Sequence, residues 1–194
     1  MKRLKNRLTV VLCCICLGTG VLRGQGFDIS PDGGLLTTEF GVSDTVKIKL
    51  TSQPASDVTL GVSVSDTTEG SVNINQLIFT SADWDTDQTV ILTGANDDLH
   101  DGDIEYSLIL SAAVSNDAGY DSLDPSDLAA TNFDDDRVAV EVFPTGGIIV
   151  SERGNDAVIS VRLDSKPESD VFLGFASSDE TEGIISTSLL EFSP

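Results

Sequence analysis

The sequence predicts an all-β protein of immunoglobulin-like antiparallel β-sandwich repeats, one complete and one truncated. Three observations predict it. Apolar and polar residues alternate in short runs, Pro and Gly punctuate those runs, and a domain-sized stretch recurs at a fixed offset. Alternation with a period of two marks a half-buried strand, and about seven such strands per hundred-odd residues is the density of a sandwich.

Residues 1–26 stand apart. Lys2, Arg3, Lys5 and Arg7 precede the apolar residues 8–17, and Gly18, Thr19 and Gly20 come after them. That order is the pattern of a secretory signal peptide. The apolar run falls short of the roughly 20 residues that span a bilayer, so no membrane span is expected in the mature chain. The three cysteines, Cys13, Cys14 and Cys16, all lie here. Without residues 1–26 the chain loses five of its 11 Lys and Arg and none of its 32 Asp and Glu, and the net charge moves from −21 to −26. The expected mature chain therefore has no disulfide and a large self-repulsion. Nucleic acid is excluded as a partner because it requires a basic footprint. Disorder fits poorly with 40% hydrophobic residues, whereas divalent cations held by clustered carboxylates fit well.

Four strands are plain in chain order. Residues 45–50 (TVKIKL), 58–64 (VTLGVSV), 89–93 (TVILT) and 104–110 (IEYSLIL) alternate, with Pro54, Gly70, Gly94 and Gly102 as turns. The buried faces are expected to hold Val46, Ile48, Leu50, Leu60, Val62, Leu77, Phe79, Val90, Leu92, Leu108 and Leu110, with Trp84 covering the core or its edge. At an offset of 113 residues the pattern starts again. Pro31 matches Pro144, Glu39-x-Gly41 matches Glu152-x-Gly154, and residues 65–70 (SDTTEG) match 178–183 (SDETEG). About 20 of roughly 50 aligned positions are identical, a domain-sized period. Residues 27–136 are thus expected to form one sandwich and residues 137–194 the first half of a second, with a strand at 157–163. A half sandwich leaves strand edges unpaired.

Carboxylates gather at turns. The densest group is residues 96–105 (NDDLHDGDIE), the second is Asp134, Asp135 and Asp136, and Glu39 and Asp66 stand singly before them. Adjacent Asp residues such as Asp97 and Asp98, or the triplet at 134–136, make poor turns and repel one another unless a cation lies between them. Asp83, Asp85, Asp87, Asp121, Asp124 and Asp127 read instead as ordinary turn residues. Neither an EF-hand loop nor a glycine-rich nonapeptide repeat is present.

These phrases together resemble the Calx-beta domain, in particular the tandem Calx-beta-like repeats of bacterial surface or secreted proteins. The carrying features are Glu39-x-Gly41, residues 50–54 (LTSQP), 65–70 (SDTTEG), 79–84, 88–94 with Asn96-Asp97-Asp98 just beyond, Asp101-Gly102-Asp103, and 132–136 (NFDDD). The resemblance implies a sandwich of two sheets with Ca2+ at one end. Carried over, the ligand set is Glu39, Asp66, Asp97, Asp98, Asp101, Asp103, Asp134, Asp135 and Asp136. The chain departs from regulatory members in having Leu99-His100 where they carry further acids. In the second copy Glu152 and Asp179 match but the late acids are missing, so no complete site is expected there.

No enzymatic activity is expected. His100 is the sole histidine, no nucleophile motif accompanies it, and no cysteine lies beyond residue 16. The sequence reads as a secreted or cell-surface calcium-binding module, a spacer or adhesive element whose calcium stiffens the domain and the junction between repeats. Its partners are calcium ions, with surface glycans or other extracellular proteins as candidates. The alternative is a carbohydrate-binding sandwich, for which Trp84, Tyr106 and Tyr120 are the stacking candidates.

Overall fold

A computed structural model describes residues 24–194. The expected signal peptide therefore lies almost wholly outside the described residues. Among those residues no helix is long and apolar enough to cross a membrane, and all regular structure is strand.

Ten strands occupy residues 27–133: β1 (Phe27–Ser30), β2 (Leu35–Thr38), β3 (Ser43–Leu50), β4 (Val58–Val64), β5 (Gly70–Val72), β6 (Gln76–Phe79), β7 (Gln88–Gly94), β8 (Ile104–Leu110), β9 (Val114–Ser115) and β10 (Leu128–Phe133). One sheet has the order β1-β3-β7-β5; the other runs β2-β10-β8-β4-β6, with β9 also on β4. The pairings are antiparallel except that β10 runs parallel to β2, a mixed pair in the expected antiparallel sandwich. Residues of one parity along each strand face the other sheet. In β4 and β8 these are Val58, Leu60, Val62 and Tyr106, Leu108, Leu110.

Every residue that alternation assigns to the core is buried, from Val46 to Leu110. Leu35, Val58, Ala113, Tyr120, Leu128 and Ala130 join them. Phe27 meets Phe79 and Tyr120 edge-on, with ring centroids 6.5 and 6.3 Å apart. The Tyr120 hydroxyl donates to the Ser52 carbonyl at 2.6 Å, so its one polar atom is satisfied at the core boundary. Trp84 is partly buried against this core, as expected of an edge-covering aromatic.

Beyond residue 136 there are four more strands: β11 (Val140–Phe143), β12 (Ser160–Leu163), β13 (Val171–Gly174) and β14 (Leu189–Phe192). They form two separate two-stranded sheets, β11-β12 and β13-β14. The strand expected over 157–163 is confined to Ser160–Leu163, because only that stretch has a partner.

Phe79 is fully buried, whereas its counterpart Phe192 keeps part of its surface in water. Phe79→Ala should destabilise the first sandwich by about 3–5 kcal/mol, the usual range for a buried phenylalanine. Phe192→Ala should leave the same transition within about 0.5 kcal/mol. Trp84, the only tryptophan, reports both in urea unfolding monitored by fluorescence. Equal losses from the two substitutions would contradict this packing.

Candidate metal centre

Three loops leave the sandwich at one end. The parallel register pairs Phe133 with Thr38, so Glu39 and Asp134, the next residues, emerge side by side. The Glu39 N–H donates to the Phe133 carbonyl at 3.1 Å, and Gly41 closes the turn at φ +79°, a left-handed conformation that suits glycine. In the opposite sheet β7 ends at Gly94. A Cβ there would lie 2.4 Å from both the Thr38 carbonyl oxygen and Asn132 Oδ1. Only glycine lets β7 come this near, and that approach carries Asp97 across to Glu39.

The result is a carboxylate cluster. Glu39, Asp97 and Asp136 each offer an oxygen, and these oxygens lie within 4.8 Å of one another. Glu39 is 5% exposed; its Oε2 accepts from the Asp135 N–H at 3.4 Å. Burial pushes its pKa up to about 7 against that hydrogen bond, with the charges of Asp97, Asp134 and Asp135 adding to the rise. Asp136 is also raised, by burial and then by Asp134, Asp135, Asp98 and Asp97. Its Oδ2 is buried with no hydrogen-bond partner, an arrangement costly for a carboxylate oxygen unless something else binds it.

The other expected ligands have different surroundings. Asp134 is spent on the loops: Oδ2 accepts from the Gly102 N–H at 2.7 Å and lies 2.8 Å from His100 Nδ1, and Oδ1 accepts from the Asp136 N–H at 2.7 Å. Burial opposes ionisation of Asp134, yet these donors together hold its pKa below the usual value. Asp103 Oδ1 accepts from the Asp134 N–H at 3.3 Å. Asp66 Oδ1 accepts from the Thr68 hydroxyl and N–H at 2.6 and 2.9 Å, which lowers its pKa. Asp98, Asp101 and Asp135 are exposed around the cluster. The Asp98 carbonyl accepts from the Lys166 N–H at 2.6 Å, a contact with the second copy. Asp83 and Asp127, read as turn residues, accept from the Thr80 and Leu110 N–H groups.

Beneath the cluster lies a polar floor that the sequence reading does not include. Glu69 is buried, and Asn132 Nδ2 lies 3.4 Å from its Oε2 and 3.0 Å from the Ala95 carbonyl. Asn132 Oδ1 accepts from the Thr37 hydroxyl at 3.0 Å, and the Tyr106 hydroxyl lies 2.9 Å from Thr37 Oγ1. Burial raises the Glu69 pKa, opposed by Asn132 and assisted by Asp101, Asp66 and Asp97. Strand parity places Thr37 with Leu35 and Asn132 with Ala130, a signal that would have revealed both. Glu69 recurs as Glu182 in the second copy. Of the three sugar-stacking candidates, Tyr106 and Tyr120 are buried in the core and unavailable to a ligand, and Trp84 is partly buried against it.

No protein-family model matches the chain, and no curated protein does. Among solved structures, the chain is similar to the apo form of the Calx CBD1 domain, at 15% identity over 59% of this chain and 100% of that domain, with a TM-score of 0.45. It is similar to CBD12 from CALX1.2 at 16% identity over 56% of this chain and 44% of that one, TM-score 0.43. The Escherichia coli chaperone DraB is 10% identical over 77% of this chain and 91% of its own, TM-score 0.41.

The raised Glu39 pKa sets a pH dependence. Between about 4.5 and 7 the folded chain keeps a proton on Glu39 that the unfolded chain releases, so the metal-free protein loses stability as pH rises through that window. Glu69 and Asp136 act in the same direction. Metal-free unfolding should show a decline on the order of 2 kcal/mol from pH 5 to pH 8, and Glu39→Gln should remove most of it. An undiminished decline in the variant would place its source elsewhere.

Proposed function

We propose that this chain is a calcium-binding β-sandwich module of an extracellular protein, a spacer or adhesive element stiffened by the ion. The observation that carries the reading is the meeting of Glu39, Asp97 and Asp136, with Asp136 Oδ2 buried and unpartnered. The donor set is all oxygen and anionic, which suits a hard cation of flexible coordination. Glu39, Asp97 and Asp136 would hold the ion, and Asp98, Asp101 and Asp135 are the exposed acids on the same loops that could add ligands. The ion supplies positive charge to a place where burial and mutual repulsion otherwise work against ionisation. Asp134 and Asp103 act one step back, fixing the loops on which the ligands sit.

The same residues connect the cluster to the second copy. Asp136 is four residues from β11, and Asp98 contacts Lys166. An ion on Asp97 and Asp136 would restrain both the acidic loop and the segment leading into the second copy, which supports the role of a stiffened spacer. His100 is engaged by Asp134 within the acidic loop, a structural placement. Secretion rests on the basic-apolar-small order of residues 1–26.

Thermal unfolding tests the proposal. A ligand that binds only the folded state at a hundredfold excess over Kd adds about 2.7 kcal/mol. Calcium should therefore raise the melting temperature of the first sandwich by several degrees, with magnesium less effective because it holds its water and requires strict octahedral geometry. Asp97→Asn combined with Asp136→Asn should abolish the calcium-specific part. An equal rise with magnesium or with sodium chloride would mean simple charge screening. Retention of the full calcium shift by the double variant would mean that the ion binds somewhere else.

A further inference from the structure

The polar floor beneath the carboxylate cluster holds a hydroxyl, a carboxamide and a carboxyl in mutual contact. Thr37 is 0%, Asn132 1% and Glu69 7% exposed. The parallel register sets Thr37 directly opposite Asn132. Thr37 Oγ1 lies 3.0 Å from Asn132 Oδ1 and 2.9 Å from the Tyr106 hydroxyl. At the other end of the same carboxamide, Glu69 Oε2 lies 3.4 Å from Nδ2. Two residues earlier the same strands meet through Leu35 and Ala130, both buried, so an apolar pair suits this layer. Burying three polar side chains here instead is costly, and their arrangement has a chemistry. A hydroxyl against a carboxamide, with an acid at the nitrogen that would leave, is the composition of an acyl-transfer centre.

We propose that Thr37 and Asn132 join in an intramolecular ester that ties β2 to β10. Thr37 Oγ1 attacks Asn132 Cγ. The Oγ1–Cγ bond forms, the Cγ–Nδ2 bond breaks, and the nitrogen leaves as ammonia. Glu69, as the carboxylic acid, gives a proton to the departing nitrogen, and the proton released by the Thr37 hydroxyl replaces it. The net change is the loss of one ammonia, with no oxidant or cofactor. Burial raises the Glu69 pKa, which favours the acid form that the step uses. Access to Cγ requires the carboxamide to turn about the Asn132 Cβ–Cγ bond, a soft torsion, while the Tyr106 hydroxyl holds Oγ1 in place. The surrounding core keeps out the water that would hydrolyse the product.

The bridge has a suitable length. From Cα to Cα it runs through Cβ, Oγ1, Cγ and Cβ, the same number of atoms as a disulfide, with shorter bonds. Disulfides join Cα atoms from about 4.4 Å apart, and neighbouring strands lie about 4.7–4.9 Å apart. Because β2 and β10 stand near opposite ends of the first sandwich in sequence, one bond between them encloses most of it. It restricts the unfolded chain as a disulfide across a long loop does. No cysteine follows residue 16, so an ester supplies a covalent tie that a disulfide cannot supply there. The proposal is independent of calcium.

Intact-mass spectrometry of the whole chain, folded in the presence of a chelator and then denatured, reads the result. The protein should be lighter than the sum of its residues by one ammonia. Proteolysis should release a branched peptide that joins the segment containing Thr37 to the segment containing Asn132, and alkaline hydroxylamine should split it. Thr37→Val keeps the shape of the side chain and removes the nucleophile; it should have the full mass and no branched peptide. Glu69→Gln should slow the loss of ammonia during refolding by at least about tenfold, within the usual contribution of a positioned acid. A wild-type chain of full mass overturns the proposal, whatever the variants do. Ammonia loss that persists in Thr37→Val also overturns it, because the loss then comes from cyclisation at another residue. An unchanged rate in Glu69→Gln overturns the role assigned to Glu69.

Discussion

The approach of Gly94 to Thr38 and Asn132 governs the acidic end of the first sandwich. A side chain of even one carbon would sit 2.4 Å from two oxygens, a separation that real packing does not tolerate. Without the approach β7 would end farther from β2 and β10, and Asp97 would point into water away from Glu39. The partner across the ladder is also a glycine: Gly70 pairs with Gly94, and a Cβ on Gly70 would lie 2.6 Å from the Tyr106 ring. Tyr106 can therefore lie over β5 and place its hydroxyl beside Thr37, at one end of the polar floor that runs through Asn132 to Glu69. Two paired glycines thus settle both the closeness of the sheets and the position of the groups beneath the cluster.

The carboxylates divide into two populations by what their oxygens meet. Asp66, Asp83, Asp117 and Asp134 accept from nearby N–H or O–H groups, and each has a lowered pKa. These residues favour their charged form in the fold and organise turns. Glu39, Glu69 and Asp136 are drawn into the protein with too few donors, and each has a raised pKa. Such groups disfavour folding when ionised, unless a cation or a proton relieves them. In a chain of net charge −21, the places where relief is missing carry more information than the total.

Much of the fold is legible in the sequence because alternation is a local signal. The spans 58–64 and 104–110 coincide with β4 and β8, and the core residues derive from their parity. The parallel pairing of β2 with β10 is not legible, because a side chain reads the same beside a parallel or an antiparallel neighbour. The acidic loops are legible as loops, and so is the convergence of Glu39, Asp97 and Asp136 on one end. Which acids meet is another matter. Asp66 and Glu69 are three residues apart in one turn, and only the position of Asn132, some sixty residues later, determines that Glu69 is drawn inward while Asp66 caps the turn. Asp103 and Asp134 also accept from backbone N–H groups of the loops, hydrogen bonds set by loop closure and invisible in composition.

The duplicated stretch separates what is encoded locally from what requires the assembly. Asp179 accepts from the Thr181 hydroxyl and N–H at 2.6 and 3.0 Å, nearly the distances of Asp66 with Thr68. That turn forms in both copies because every atom it needs lies within three residues. Glu152, the counterpart of Glu39, is exposed. Burial of Glu39 depends on β10 at its side and on β7 opposite, and the second copy has no equivalent of either among the described residues. The strands obey the same division: pairings contained in the duplicated stretch persist with unchanged register, and those that need β7, β8 or β10 dissolve into irregular backbone although the apolar pattern is retained. A β-strand is therefore a property of a pair rather than of a sequence. The carboxylate cluster inherits that dependence, since the strands that close the sandwich are also the strands that carry its acids. Closing the fold and assembling the site are one event, which explains why residues 137–194 keep Glu152 and Asp179 and, among the described residues, bring no such cluster together.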